Sequence, residues 1–190
     1  MIYIIAAAGV AVSTLLATYL YHLNTTLPFT PPDTRQWQTG DIFFSSGHSW
    51  KSDAVRLLGG NSADRISHCG FIVRQRDSIF LIHMSPDKNQ IVKETPSDFA
   101  ASGTVSAITA RRLSPVPDTT LLKNRLNQLL SRQKPFDSTF DTKDTTAYYC
   151  TELIVKELAA CGSPQLLPLL RSQYIYPQTL AASPQLHPIP

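Results

Sequence analysis

The chain has 190 residues, a formal net charge of +3 and 14 prolines. With an apolar leader set aside, that length holds one compact domain with one core. The 17 Lys and Arg residues are scattered rather than clustered, so the sequence has no nucleic-acid footprint and no nucleic-acid partner is expected.

Met1 to Leu23 contains no Asp, Glu, Lys or Arg. At about 1.5 Å rise per residue it can cross a hydrocarbon core of about 30 Å. Tyr19, Tyr21 and His22 stand at its end, where amphipathic rings favour an interface. The segment therefore predicts an uncleaved, single-pass transmembrane anchor over 1–23. A cleaved signal peptide competes with it, but there is no basic n-region and no small-x-small site after the apolar run. Residues 24–38, with Pro28, Pro31 and Pro32, read as a linker that holds a domain, 39–190, off the membrane. Flanking charge is too sparse to set orientation by the positive-inside rule.

Gly40 to Ser45 reads as a first strand, and Trp50 to Leu58 has helical spacing ended by Gly59, Gly60 and Asn61. Ser67–Arg74 and Ser78–Met84 are apolar and β-rich, and read as a hairpin. Gln90–Glu94 and Thr104–Ala110 are further strands. Thr119–Leu130 and Ala147–Ala160 are helices, the second stopped by Gly162 and Pro164. Prolines in Ser/Thr-containing stretches at both ends read as linkers and extended tails. The order predicts an α+β fold with helices packed on an antiparallel sheet.

The cysteines are Cys69, Cys150 and Cys161. An odd count leaves at least one thiol over, and no C-x-x-C pair offers the usual zinc or redox spacing, so no cofactor is expected. Cys150, Leu153, Ile154, Leu158 and Cys161 share one face of the last long helix, with Cys150 in its first turn and Thr145 or Thr146 as N-cap. A thiol there feels the positive end of the helix dipole and free N–H groups. Both favour thiolate, and the same groups can hold an oxyanion. A buried inert cysteine is the alternative.

His68 and His83 lie on the two hairpin strands. A turn centred on Gln75–Arg76 pairs them directly, and one centred on Arg76–Asp77 leaves them diagonal on the same face. Either way one imidazole can serve as base while the other fixes its orientation. Gly70 on that face lets another element approach closely. Cys69 alternates to the opposite face, with Phe71 and Val73. Two His and a Cys, with His48, also make a conceivable metal set, though none of the short structural spacings is present.

Three stretches resemble circularly permuted papain-like enzymes of the NlpC-type superfamily, and most closely their YiiX-like branch. They are Gly40-Asp41-Ile42-Phe43-Phe44, Ser67-His68-Cys69-Gly70 with its apolar strand, and Tyr149-Cys150-Thr151-Glu152-Leu153. Pro135-Phe136-Asp137 and Tyr176-Pro177-Gln178-Thr179-Leu180 also fit. The resemblance implies a permuted papain-like fold, Cys150 as nucleophile and His68 as base. The YiiX-like branch usually carries an acid where this chain has His83, and a His there is more like the lecithin retinol acyltransferase relatives. The expectation is a membrane-anchored cysteine peptidase or amidase facing the periplasm or cell exterior. Its substrate would be a peptide, peptidoglycan-like or lipid-like molecule. A thiol acyltransferase or lipase acting on membrane lipids and a non-catalytic binding module are the alternatives.

Overall fold

The computed structural model describes residues 29–47, 49–59, 65–101, 103–172 and 174–189. The predicted membrane segment 1–23, the first part of the predicted linker and His48 lie outside them. No helix among the described residues is long and apolar enough to cross a membrane.

In chain order the elements are β1 (Ile42–Gly47), α1 (Trp50–Leu58), β2 (Ile66–Gln75), β3 (Ser78–Ser85), β4 (Gln90–Glu94), α2 (Pro96–Ala100) and β5 (Val105–Leu113). Then follow α3 (Thr119–Ser131), α4 (Cys150–Ala160), a 3-10 helix (Pro164–Arg171), α5 (Pro177–Ala181) and β6 (Leu186–Ile189). The strands form one antiparallel sheet in the order β4-β3-β2-β1-β5-β6. This is the α+β arrangement expected from the order of strands and helices.

Both faces of the sheet are covered, which is why β2 and β3 read as near-continuous apolar runs rather than a clean alternation. On one face Phe44, Cys69, Phe71, Val73, Ile82 and Met84 pack with Leu153, Ile154 and Leu158 of α4. On the other, Phe43, Ile72 and Leu81 pack with Trp37, Phe29 and Phe99. Trp37, at the end of the expected linker, is only 2 % exposed. Arg74 fixes that segment by donating from Nε to the Trp37 carbonyl at 2.8 Å and from Nη2 to the Thr34 carbonyl at 2.7 Å.

The carboxy-terminal prolines do not mark a loose tail. Pro164 opens the 3-10 helix and Pro177 opens α5, where a missing N–H costs no hydrogen bond. Leu166, Ile175, Leu180 and Leu186 enter the main core, and β6 pairs with β5.

The start of α4 also differs from expectation. The helix begins at Cys150 rather than Ala147, and neither Thr145 nor Thr146 caps it. Thr146 bonds instead to Asp144 Oδ1, through its N–H and its hydroxyl, at 2.7 Å each. Tyr148 is drawn into an extended bridge with Phe136: its N–H donates to the Pro135 carbonyl at 3.0 Å, and its carbonyl accepts from the Asp137 N–H at 2.8 Å. The chain therefore cannot turn helical until Tyr149 has passed, which leaves Cys150 as the first helical residue.

Candidate active site

Cys150, His68 and His83 are brought together. The hairpin turn is centred on Arg76–Asp77, with Gln75 opposite Ser78 and Arg76 at φ 55°. His68 and His83 are thus diagonal neighbours on one face, and His68 Nε2 lies 2.9 Å from His83 Nδ1. The ladder between β2 and β3 ends at Phe71 and Ile82, so His68 lies beyond it.

Gly70 makes this approach possible. A Cβ there would fall 2.5 Å from Cε1 of Phe43, 2.6 Å from the Ile82 carbonyl oxygen and 2.7 Å from Cβ of His83. The Phe43 and Phe99 rings enclose the imidazoles. Phe99 stacks on His68 at 6.0 Å and 22°, and meets His83 edge-on at 5.0 Å.

A fourth residue completes the chain of hydrogen bonds. His83 Nε2 lies 2.8 Å from Glu94 Oε1, and Lys88 Nζ holds Glu94 Oε2 at 3.1 Å. The bond to His83, helped by Lys88, lowers the Glu94 carboxyl to about 2. Glu94 is therefore a carboxylate, and His83 Nε2 must carry the proton that it accepts. Burial pushes the His83 pKa down, so the ring is neutral and its Nδ1 is an acceptor. His68 Nε2–H then donates to it, which leaves His68 Nδ1 as the ring's free base.

Cys150 is 9 % exposed and sits against both Cys69 and His68. Its thiol is held well below the ordinary range by a hydrogen bond from the Cys69 thiol and by His68, against the effect of burial. Cys69, fully buried among apolar side chains, is pushed the other way by desolvation. The helix start reinforces this division, since Cys150 is the first residue of α4 and stands at the positive end of its dipole. Glu152 accepts the N–H of Tyr149 at 3.3 Å and pairs with Lys156, which holds the turn that presents the thiol. All three cysteines are free thiols, so Cys69 and Cys161 are not joined. Cys161, at the far end of α4, is raised by burial.

Sequence reasoning missed Glu94, Phe99 and the Cys69–Cys150 contact. The first two had signals. The four-residue loop Pro86–Asn89 places His83 opposite Val92, which makes Glu94 its diagonal neighbour on the same face. Thr95-Pro96 followed by Asp98 forms a capping box that starts α2 and carries Phe99. The Cys69 contact had none, because it depends on where α4 docks.

Among the described residues no group of three or more His, Cys, Asp and Glu side chains is placed to share a metal ion. The facing nitrogens of His68 and His83 are engaged with each other, and the outer nitrogen of His83 is engaged with Glu94.

No family model and no curated protein matches the chain. Among solved structures it is similar to the metalloprotein yiiX from Escherichia coli O157:H7, of the group called DUF1105. The TM-score is 0.61 at 18 % identity, over 80 % of this chain and 96 % of that one. The word metalloprotein describes that protein. At this identity the likeness concerns architecture, and it establishes that the chain has the YiiX fold.

Proposed function

We propose that this chain is a cysteine hydrolase of the permuted papain-like type that cleaves an amide bond through an acyl-enzyme on Cys150. The observation that carries the reading is the unbroken line from the Cys150 thiol through His68 and His83 to Glu94. Each ring nitrogen in it has an assigned role, and the only free acceptor faces away from His83.

In this reading His68 Nδ1 takes the Cys150 proton, and the thiolate attacks the substrate carbonyl carbon. The resulting oxyanion is held by backbone N–H groups in the first turn of α4. His68 passes its proton to the departing amine nitrogen as the C–N bond breaks, which leaves a thioester on Cys150. Water, losing a proton to His68, then attacks that thioester, and the thiol and a carboxylic acid are released. His83 accepts from His68 throughout and stays neutral, with Glu94 fixing its tautomer. The apolar segment Met1–Leu23 anchors the domain to a membrane, and the domain faces the periplasm or cell exterior.

A second reading, a thiol acyltransferase or lipase acting on membrane lipids, uses the same acyl-enzyme and is favoured by a His rather than an acid at position 83. An alkylating probe on Cys150 and product analysis on peptide amides against acyl lipids test both readings. A trapped thioester on Cys150 with amine release supports the first, and transfer from a lipid ester supports the second. An unreactive Cys150 overturns both.

A further inference from the structure

The end of the molecule that holds Cys150 also carries the two most exposed large apolar side chains among the described residues. Leu57 and Leu58, consecutive at the end of α1, are 84 % and 68 % exposed, and Tyr174 is 42 % exposed. Isolated exposed apolar residues need no explanation, but these are grouped. The link runs through named contacts. α1 connects the end of β1 to the start of β2, so it stands at the same sheet end as His68. Gly59, which follows Leu58, closes on Tyr176 and Gln178: a Cβ there would lie 3.0 Å from Cβ of Tyr176 and 2.6 Å from Oε1 of Gln178.

The Tyr174–Tyr176 segment is in turn bound to the start of α4. The Ile175 N–H donates to the Tyr149 hydroxyl at 3.2 Å, and the Thr151 hydroxyl donates to the Ile175 carbonyl at 2.5 Å. Leu57, Leu58 and Tyr174 therefore belong to a rim one layer of chain away from the nucleophile. Arg65 and Arg171, on the segments beyond Leu58 and before Tyr174, are exposed. The rim is thus apolar, with two exposed arginines among the described residues of the flanking segments.

We infer that this rim is a membrane-contacting surface, and that it rests Leu57, Leu58 and Tyr174 in the interface of an anionic bilayer so that the Cys150 site opens toward lipid. Three features select a bilayer as the partner. Bare leucines beside a tyrosine ring suit the boundary between headgroups and acyl chains. Exposed Arg65 and Arg171 on the flanking segments suit anionic headgroups. The uncharged stretch Met1–Leu23 of the same chain has the length and composition to keep such a surface close by. The inference rests on the hydrolase reading above and narrows its substrate to one presented at a lipid surface, an amide or ester carrying an acyl chain.

The test uses the full chain reconstituted into phosphatidylcholine vesicles with and without phosphatidylglycerol. Two probes compete for the same sulfur: water-soluble iodoacetamide, and a phosphatidylethanolamine bearing an iodoacetyl group on its headgroup. Labelling of Cys150 by the lipid probe is expected in wild type, more with phosphatidylglycerol than without. The Leu57→Asp/Leu58→Asp variant should lower the ratio of lipid-probe to soluble-probe labelling about tenfold and leave soluble labelling unchanged, which also reports an intact site. The milder Leu57→Ser/Leu58→Ser variant gives the same comparison if the aspartates disturb folding. An unchanged ratio, or wild-type Cys150 that the lipid probe never reaches, overturns the membrane surface while leaving the hydrolase in place. Failure of soluble iodoacetamide to label wild-type Cys150 overturns the hydrolase reading instead.

Discussion

His83 stands between two partners, accepting from His68 at 2.9 Å through Nδ1 and donating to Glu94 at 2.8 Å through Nε2. A histidine placed this way cannot itself take a proton from Cys150, since both nitrogens are committed. It acts on the neighbouring ring, and the consequences of altering each member differ accordingly.

Cys150→Ala should abolish turnover and leave the thermal midpoint nearly unchanged, because the side chain is small and lies at a helix end. His68→Ala should do the same by leaving the thiol without a base, and the double variant should be no worse than either single one. Rates and melting curves on the four proteins check this. Wild-type turnover by Cys150→Ala would remove the basis of the proposal.

His83→Gln should reduce the rate less than His68→Ala, since an amide can still accept from His68 Nε2. His83→Ala should cost more than His83→Gln. Glu94→Gln removes a charge-assisted hydrogen bond of about 1.5–3 kcal/mol, which corresponds to roughly a tenfold to hundredfold loss if the tautomer is no longer held. The opposite ranking of His68 and His83 in kcat would assign proton transfer to His83.

Acid should separate wild type from Glu94→Gln in stability as well. The carboxyl of Glu94 falls from an ordinary 4.5 to about 2 on folding, so its contribution is complete above about pH 4.5 and is lost as pH falls toward 2. His83, whose pKa burial lowers, adds a cost in the same direction once it is forced to protonate. Denaturant titrations at pH 6 and pH 3 should therefore show a larger decline for wild type than for Glu94→Gln. Parallel declines would mean that the carboxylate is not held as the geometry indicates.

Cys150 should react with limiting iodoacetamide well before Cys69 or Cys161, and should still do so at mildly acidic pH. The hydrogen bond from Cys69, with His68 beside it, holds Cys150 low, whereas burial raises Cys69 and Cys161. Removing His68 should slow the reaction. Peptide mapping after brief treatment decides the order, and preferential labelling of Cys161 would mark Cys150 as a packed structural thiol.

Gly70→Ala should destabilise the domain by about 1–3 kcal/mol, the usual cost of overpacking, because the new methyl meets backbone, ring and Cβ at once. It should also weaken activity more than its stability loss explains, since His83 is one of the atoms displaced. A change confined to the melting temperature would limit Gly70 to packing.

Much of this molecule was legible beforehand where local rules decide the outcome. The predicted α1 and β4 have the observed boundaries, and the two histidines were placed on one face by the period of the strand alone. Cys150, Leu153, Ile154, Leu158 and Cys161 do line one stripe of the core. What escaped depended on partners distant in sequence. Tyr148 reads as helical by pattern, yet the bridge to Phe136 holds it extended and moves the helix start by three residues. Pro164 reads as a helix stop and the C-terminal prolines as an extended tail, whereas Pro164 and Pro177 each open a helix, because the distinction rests on Leu166 and Leu180 finding the core. The contact between Cys69 and Cys150 joins a strand to a helix 81 positions away, and no spacing rule reaches that far.

The two margins of the sheet limit how a peptide could be held. β6 forms one margin and carries Pro188, which has no backbone donor to offer a newcomer. β4 forms the other, and its first residues are already bonded by the Lys134–Phe136 segment, with the Ile91 N–H donating to the Lys134 carbonyl at 2.9 Å. A guest chain adding itself as a seventh strand finds little to zip onto at either side. For the hydrolase proposed above, recognition then falls to side chains near the tip of α4, and selectivity is expected to follow the chemistry of the acyl group and be nearly blind to a long run of flanking backbone.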